Sequence, residues 1–203
     1  MIYHTDEESD ILMYDGTTEN VSNIQVGDYI KTLQLEYGDA SNESLPTHAT
    51  TLAEISSSLT YVSSSLISSE SQEINDFFIK IGLEDSSSWV DTPSTAYVIE
   101  ESGSNNTRFE FVNKFLIGDK IVTVNKDSNA ITTREITSLD IIFDSKRIYN
   151  LDFEPYDYFM VDVNNDEYSI MHNVCTGCTW AACGNYWCDS FCKQCSGGGT
   201  IGK

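Results

Sequence analysis

An all-β body followed by a small cysteine-rich appendage is the architecture this sequence predicts, and three observations predict it. A turn-and-strand unit near the start of the chain recurs in its middle. The segments between and after these copies alternate apolar and polar residues, as half-buried strands do. All six cysteines fall between Cys175 and Cys195, with none before. The division is therefore a β domain over residues 1–174 and a Cys-rich knob with a Gly-rich tail over 175–203.

The repeat carries most of the weight. "IQVGDYIKTL" (Ile24–Leu33) and "FLIGDKIVTV" (Phe115–Val124) share an apolar residue, Gly-Asp, Ile, Thr and a closing apolar position, with Gly27 and Gly118 91 positions apart. "DILMYDGTTENVSN" leads into the first copy and "AYVIEESGSNNTRFEFVNK" into the second. Each copy reads as a strand, a turn at Asp15-Gly16 or Ser102-Gly103, a short segment, and a Gly-Asp turn that launches another strand. Gly27 and Gly118 are expected to take positive φ, and the aspartate after each to bond back to turn amides. Two halves related by a pseudo-twofold axis are the simplest account.

Further strands are expected at Ile74–Ile81, Arg108–Val112, Glu135–Phe143, Arg147–Phe153, Tyr158–Val163 and Glu167–His172, with a hairpin turn at Asn164-Asn165-Asp166. Thr50–Leu66 is rich in serine, which competes for backbone hydrogen bonds and disfavours helix. It reads as part of a Ser-rich insertion of strands and loops around residues 41–72, with a solvated surface.

Hydrophobic residues make up 40% of the chain, and 11 Tyr, 9 Phe and 3 Trp supply a packed interior, while 3 Pro and 12 Gly exclude a collagen-like composition. Against 32 acidic residues stand 11 basic ones, a formal charge of −21. Nucleic acid and anionic membrane surfaces need clustered Lys and Arg, so neither is expected as a partner. Self-repulsion that keeps the chain soluble is the plain reading of the charge. No segment follows the spacing of a calcium loop. No apolar run approaches the roughly 18 residues of a membrane span. The acidic start "MIYHTDEESD" does not read as a signal peptide.

Taken in order, "DILMYDG…IQVGD", "FVNKFLIGD" and the closing "IYNLDFEPYDYFMVD…SIMHN" resemble the Hint superfamily, which includes inteins, hedgehog autoprocessing domains and bacterial intein-like domains. The resemblance covers about residues 4 to 174. It implies a Hint-like pseudo-twofold β horseshoe, formed by two duplicated β subdomains. It also implies where chemistry would sit. The family's nucleophile is a Cys or Ser that attacks the preceding peptide carbonyl, and counting back from Asp15-Gly16 places that position at His4. Ser9 and Thr5 are displaced from it, and Met1 leaves no flanking segment upstream. The family's Thr-x-x-His element, which strains and protonates the scissile bond, falls on "DTPSTAYVI". Thr92 is retained there, and Thr95 stands where His is expected. Thr47-His48 lacks the spacing. The later assisting His aligns near Asp157. What persists is His172-Asn173, the pair through which an Asn amide attacks its own carbonyl. The residue after it is Val174, where the family has Cys, Ser or Thr, and Cys175 comes one place late. The expectation is no catalytic residue, with His172 and Asn173 as relics that end the last strand.

The tail "CTGCTWAACGNYWCDSFCKQCSGGGTIGK" holds Cys175-x2-Cys178 and Cys192-x2-Cys195 separated by 13 residues, with Cys183 and Cys188 between. Paired CxxC knuckles suit four thiolates around Zn²⁺. Six thiols with no nearby histidine suit disulfides as well. Either crosslink answers the same need, because so short a segment cannot order itself on burial alone. Trp180, Tyr186, Trp187 and Phe191 would form its small core.

The function expected is that of a non-enzymatic virion structural or decoration protein, docking through its Cys-rich segment or sheet edges to other structural proteins of a particle. Intein-like domains that lack processing residues occur as appendages of phage and virus structural proteins. That reading places the chain in the virion, assembled in the host cytoplasm, and leaves a homo-oligomer open. Two alternatives stand beside it: a residual autoprocessing domain cleaving after Asn173, and a surface adhesion module.

Overall fold

In the computed structural model the described residues are 5–33, 50–57, 61–101, 106–154, 158–164 and 167–172. They form thirteen strands: β1 (Thr5–Asp6), β2 (Asp10–Leu12), β3 (Thr18–Asn20), β4 (Tyr29–Leu33), β5 (Thr50–Thr51), β6 (Tyr61–Leu83), β7 (Ser88–Asp91), β8 (Ala96–Glu100), β9 (Asn106–Phe111), β10 (Lys120–Asn125), β11 (Ile131–Glu154), β12 (Tyr158–Asn164) and β13 (Glu167–His172). One six-residue helix, α1 (Leu52–Ser57), and two 3-10 turns complete them. Every pairing is antiparallel, and the path β3-β2-β12-β13-β8-β10-β11-β6-β4 forms one curled sheet. The all-β expectation holds.

The duplicated unit is visible bond by bond. A 3-10 turn at Val21–Asn23 precedes the first Gly-Asp, and one at Val112–Lys114 precedes the second. Gly27 and Gly118 adopt φ of 98° and 95°. The Gly27 amide donates to the Leu66 carbonyl at 2.9 Å, and the Leu66 amide donates back to the Asp28 carbonyl at 2.9 Å. In the second copy the Gly118 amide donates to Ile136, and Ile136 to Asp119, both at 2.8 Å. Asp28 Oδ2 accepts from the Gln25 amide and Asp119 Oδ2 from the Leu116 amide, each at 2.8 Å. A carboxylate that caps its own turn satisfies an amide the tight geometry would leave unpaired.

From these two anchor points spring the longest elements. β6 leaves its pairing with β4 and β11 leaves its pairing with β10, and the two then pair with each other from Ile136↔Leu83 to Glu154↔Ser65. The strands expected separately at Glu135–Phe143 and Arg147–Phe153 are thus one strand. Asp144 and Ser145 between them are exposed and opposite Asp76 and Asn75, so polar residues continue the ladder on solvated faces. Register slips between Ile136/Ser138 and between Asp152/Phe153 mark irregularities where the ribbon meets the rest of the sheet.

In the Ser-rich region the strand is as expected, and a short helix and one buried serine depart from the expectation. Residues 61–72 are the first part of β6, with Ser64 fully buried against β4, and 52–57 are helical. Helix α1 forms despite poor formers because Ile55 and Leu52 pack on a waiting apolar face, and tertiary burial outweighs intrinsic preference.

That face explains the core. Along β8, β10, β12 and β13 alternate side chains point to opposite sides of the sheet. Tyr97, Ile99, Ile121, Phe159, Val161 and Met171 enter one apolar cluster together with Phe153 and Leu66 of the ribbon. Val98, Val122, Val124, Met160, Tyr168 and Ile170 enter a second, which Ile55 covers. Burial on both faces fixes these strands, and so fixes the loops at their ends.

Candidate functional site

Three chain segments that the sequence places far apart meet at one end of this core. β1 lies antiparallel to β11, with Thr5 opposite Tyr149 and Asp6 opposite Ile148, and the Glu7 amide donates to the Arg147 carbonyl at 3.0 Å. β7 ends at Asp91 and turns through Pro93 and Ser94 into β8. The last residue of β13, His172, pairs with Ala96 at the start of β8 and with Tyr158 at the start of β12. The side chain of His172 lies outside the described residues, as do His4, His48, Asp157, Asn173, Val174 and all six cysteines.

Asp91 organises the centre. It is 1% exposed. Its Oδ1 accepts from the Thr95 hydroxyl at 2.6 Å and from the Thr92 amide at 2.7 Å, and its Oδ2 accepts from the Tyr97 hydroxyl at 2.5 Å. The Thr92 hydroxyl contacts those of Thr95 at 3.0 Å and Ser94 at 3.2 Å. Trp89 packs its ring edge-on to Tyr97, with centroids 5.8 Å apart. The Thr95 amide closes the turn on the Thr92 carbonyl at 3.2 Å.

Every donor on this carboxyl is neutral. Burial raises Asp91 to about 7, while the bonds from Thr95, Tyr97 and Thr92 hold it down against that push and the charge of Asp6 raises it again. Burial and the neighbouring Asp91 push the Tyr97 hydroxyl well above its ordinary range, so it stays a donor.

Beside this network sits a second buried carboxyl. Asp6, 1% exposed, meets Lys146 Nζ at 2.8 Å and accepts from the Glu8 amide at 2.9 Å. Lys146 also reaches Glu8 Oε2 at 3.2 Å. Burial raises Asp6, and its bonds to Lys146 and Glu8 offset this only in part. For Lys146 burial acts downward, but the bonds and charges of Asp6 and Glu8 outweigh it and lift the ammonium. The 2.8 Å contact between buried partners fits an ionised pair, an ammonium on a carboxylate.

The structure brings the Thr92 and Thr95 hydroxyls to 3.0 Å of each other and sets them beside β1 and the end of β13. Asp91, Tyr97, Asp6 and Lys146 were not singled out in the sequence. Nothing in the pattern of an acidic chain marks one buried aspartate among so many exposed ones. The only local signal is the short polar run "DTPST" set between two apolar strands. Chemically the network offers hydroxyls and a carboxyl bonded to one another; it holds Thr95 with its hydroxyl turned onto Asp91.

A separate open cleft of about 740 Å³ lies between Tyr14, Asp15, Glu19, Asp28 and Tyr29 and shares no residue with this site. No group of His, Cys, Asp and Glu able to hold a metal occurs among the described residues. No described helix is long and apolar enough to cross a membrane.

No family model matches the sequence, and no curated protein matches it. Solved structures do. A bacterial intein-like domain from Clostridium thermocellum superposes with a TM-score of 0.60 at 12% identity, covering 85% of this chain and 100% of that one. The TvoVMA intein gives 0.62 at 12% identity, over 84% of this chain and 98% of that one. A DnaB intein from Synechocystis sp. PCC 6803 gives 0.57 at 10% identity, over 84% and 97%. At such identity the likeness speaks for architecture alone. The duplicated Gly-Asp units, the paired long strands and these superpositions together identify the fold as the intein-like Hint fold.

Proposed function

We propose that this chain is a non-enzymatic structural module of a virion, built on an intein-like fold and docking to other structural proteins through its Cys-rich segment. The observation that carries the non-enzymatic part is the closed network around Asp91. The resemblance puts a histidine at Thr95, where an imidazole could pass a proton to a leaving amine near neutral pH. A threonine hydroxyl does not ionise in that range, and this one is committed to Asp91 at 2.6 Å. The position that would supply proton transfer thus serves packing and hydrogen bonding.

Docking is assigned to residues 175–203. Cys175, Cys178, Cys192 and Cys195, with Cys183 and Cys188, would be crosslinked by zinc or by disulfides around the small core expected of Trp180, Tyr186, Trp187 and Phe191. The acidic charge, which disfavours nucleic acid and anionic membranes, suits assembly with other proteins.

A second reading is slow cleavage after Asn173. It is favoured by the backbone of His172, which is held between Ala96 and Tyr158 at the end of a fully paired strand. One experiment separates the two. The purified chain is incubated for days between pH 6 and 8.5 beside an Asn173→Ala control, and intact masses are followed. An unchanged mass supports the structural module; a fragment beginning at Val174 in the wild type alone supports cleavage. The virion assignment is tested by whether the chain co-sediments with particles, and whether truncation at Asn173 abolishes this.

A further inference from the structure

The open cleft of about 740 Å³ lies in the first of the two duplicated units. Tyr14 and Tyr29 stand at its rim, 55% and 57% exposed, held side by side because the Tyr14 amide donates to the Tyr29 carbonyl at 3.0 Å. Asp15, Glu19 and Asp28 line it, and no lysine or arginine does.

The second unit shows how the same framework is completed. Residues 17–29 correspond to 108–120 at the spacing of Gly27 and Gly118, and the two 3-10 turns fall at matching places. In the second unit Glu110 is met by two cations of the chain. Arg108 Nη2 lies 3.3 Å from its Oε2, and Lys114 Nζ 3.8 Å from its Oε1. Glu19 is the counterpart of Glu110, but neutral residues stand for both cations: Thr17 for Arg108 and Asn23 for Lys114. Asn23 Nδ2 donates to Glu19 Oε1 at 2.7 Å, so the contact is kept without its charge. Thr17 donates its amide and its hydroxyl to Asp15 instead.

The neighbouring ladder differs in the same sense. Lys120 of β10 pairs with Glu100 of β8 at 3.8 Å, one step from Ile121↔Ile99. The bridge Met13↔Ile30 and the Tyr14–Tyr29 bond take the same register in the first unit. A tyrosine pair therefore occupies the place of an ion pair. The first unit keeps its carboxylates, lacks three cations and presents two aromatic side chains.

We propose that this cleft binds an arginine side chain of a partner protein, whose guanidinium takes at Glu19 the place that Arg108 takes at Glu110.

A guanidinium suits this lining better than an ammonium, because its plane stacks on aromatic rings while its fork meets a carboxylate. The volume is that of an ordinary side-chain or ligand pocket. A lining of one charge sign attracts a basic segment and repels an acidic one. A second copy of this chain, at a formal charge of −21, is for that reason a poor occupant. None of these residues belongs to the Asp91 network or to the Cys-rich segment, so binding here is independent of the docking proposed above.

The probe is an acetylated, amidated Gly-Arg-Gly-Arg-Gly peptide, titrated into the whole chain at physiological salt with backbone amides followed by NMR. The amide shifts of Tyr14, Thr17, Asn23 and Tyr29 are expected to saturate together, with the lysine analogue about threefold weaker or more. Thr17→Arg with Asn23→Lys installs the second unit's own cations and is expected to weaken binding about tenfold or more. Asp140→Asn with Asp144→Asn, both exposed on the β6–β11 ribbon, changes the net charge equally and is expected to leave affinity within about twofold. Unchanged binding in the first double variant, or equal loss in both, overturns the site. So do shifts that spread over the acidic surface without saturating, or a lysine peptide that binds as tightly, outcomes that need no variant to fold. Free arginine, whose own carboxylate the acidic lining repels, is expected to bind more weakly than the peptide. Equal or tighter binding of the free amino acid would overturn the protein partner.

Discussion

Tyr97 donates its hydroxyl to Asp91 Oδ2 at 2.5 Å, and neither residue is more than 1% exposed. A buried acceptor and a buried donor satisfy each other across the turn that joins β7 to β8. The consequences are unequal for the two partners. Tyr97→Phe leaves one carboxyl oxygen short of a donor and costs about 1–3 kcal/mol. Asp91→Ala strands the Thr95 and Tyr97 hydroxyls and the Thr92 amide at once, and is expected to cost more than Tyr97→Phe. Urea unfolding of the two variants beside wild type checks the order.

Stability should also fall as pH rises from the acid side to neutrality. Asp91 moves from an ordinary 3.8 to about 7 on folding. Between these values the folded state binds a proton that the unfolded state has lost, so this group removes about 1.4 kcal/mol of stability per pH unit of increase. Asp6 is shifted in the same direction, by burial. Lys146, raised on folding, loses its contribution only in the alkaline range. Thermal midpoints are therefore expected to be higher at pH 5.5 than at pH 8, and the difference to shrink in Asp91→Asn.

Removing the cation exposes what it compensates. Lys146→Met leaves the Asp6 carboxyl buried beside Glu8 and Asp91 with no ammonium, and breaking such a buried pair from one side costs about 3–5 kcal/mol. Part of this is recovered by acidification, which neutralises Asp6. A chemical denaturation series at pH 5 and pH 8 measures both effects.

The duplication predicts matched responses at distant positions. A Cβ added at Gly27 or Gly118 meets no atom within 4 Å, so the only cost is backbone conformation at φ of 98° or 95°. Gly27→Ala and Gly118→Ala are each expected to lose about 1–2 kcal/mol. Calorimetry on the two single variants would show equal losses if the halves are equivalent.

Much of this architecture was legible in the sequence because turn chemistry is local. Gly27-Asp28 and Gly118-Asp119 announce themselves by residue type and by their spacing, and the carboxylates cap the turns as expected. β12 and β13 were legible because they alternate between two faces. The continuity of β11 through Asp144-Ser145 was not, since a two-stranded ribbon exposed on its faces tolerates polar runs that look like loops. Helix α1 was hidden because its stability resides in what Ile55 covers. At the site, Thr92 and Thr95 could be placed through resemblance, whereas Asp91, Tyr97, Asp6 and Lys146 come together only by long-range pairing. Burial of an acid is a property of the folded neighbourhood, and no local residue pattern encodes it.

Under the proposed function, Thr95 and the buried Asp91 carry no proton transfer at the position where the resemblance expects a histidine. The most direct measurement joins a reporter domain ahead of residue 4 and another after Asn173, then follows intact mass over days with and without added thiol and hydroxylamine. The account predicts one undivided chain under all conditions. Release of either reporter from the wild type, at a rate that Thr92→Ala or Asn173→Ala abolishes, would contradict it.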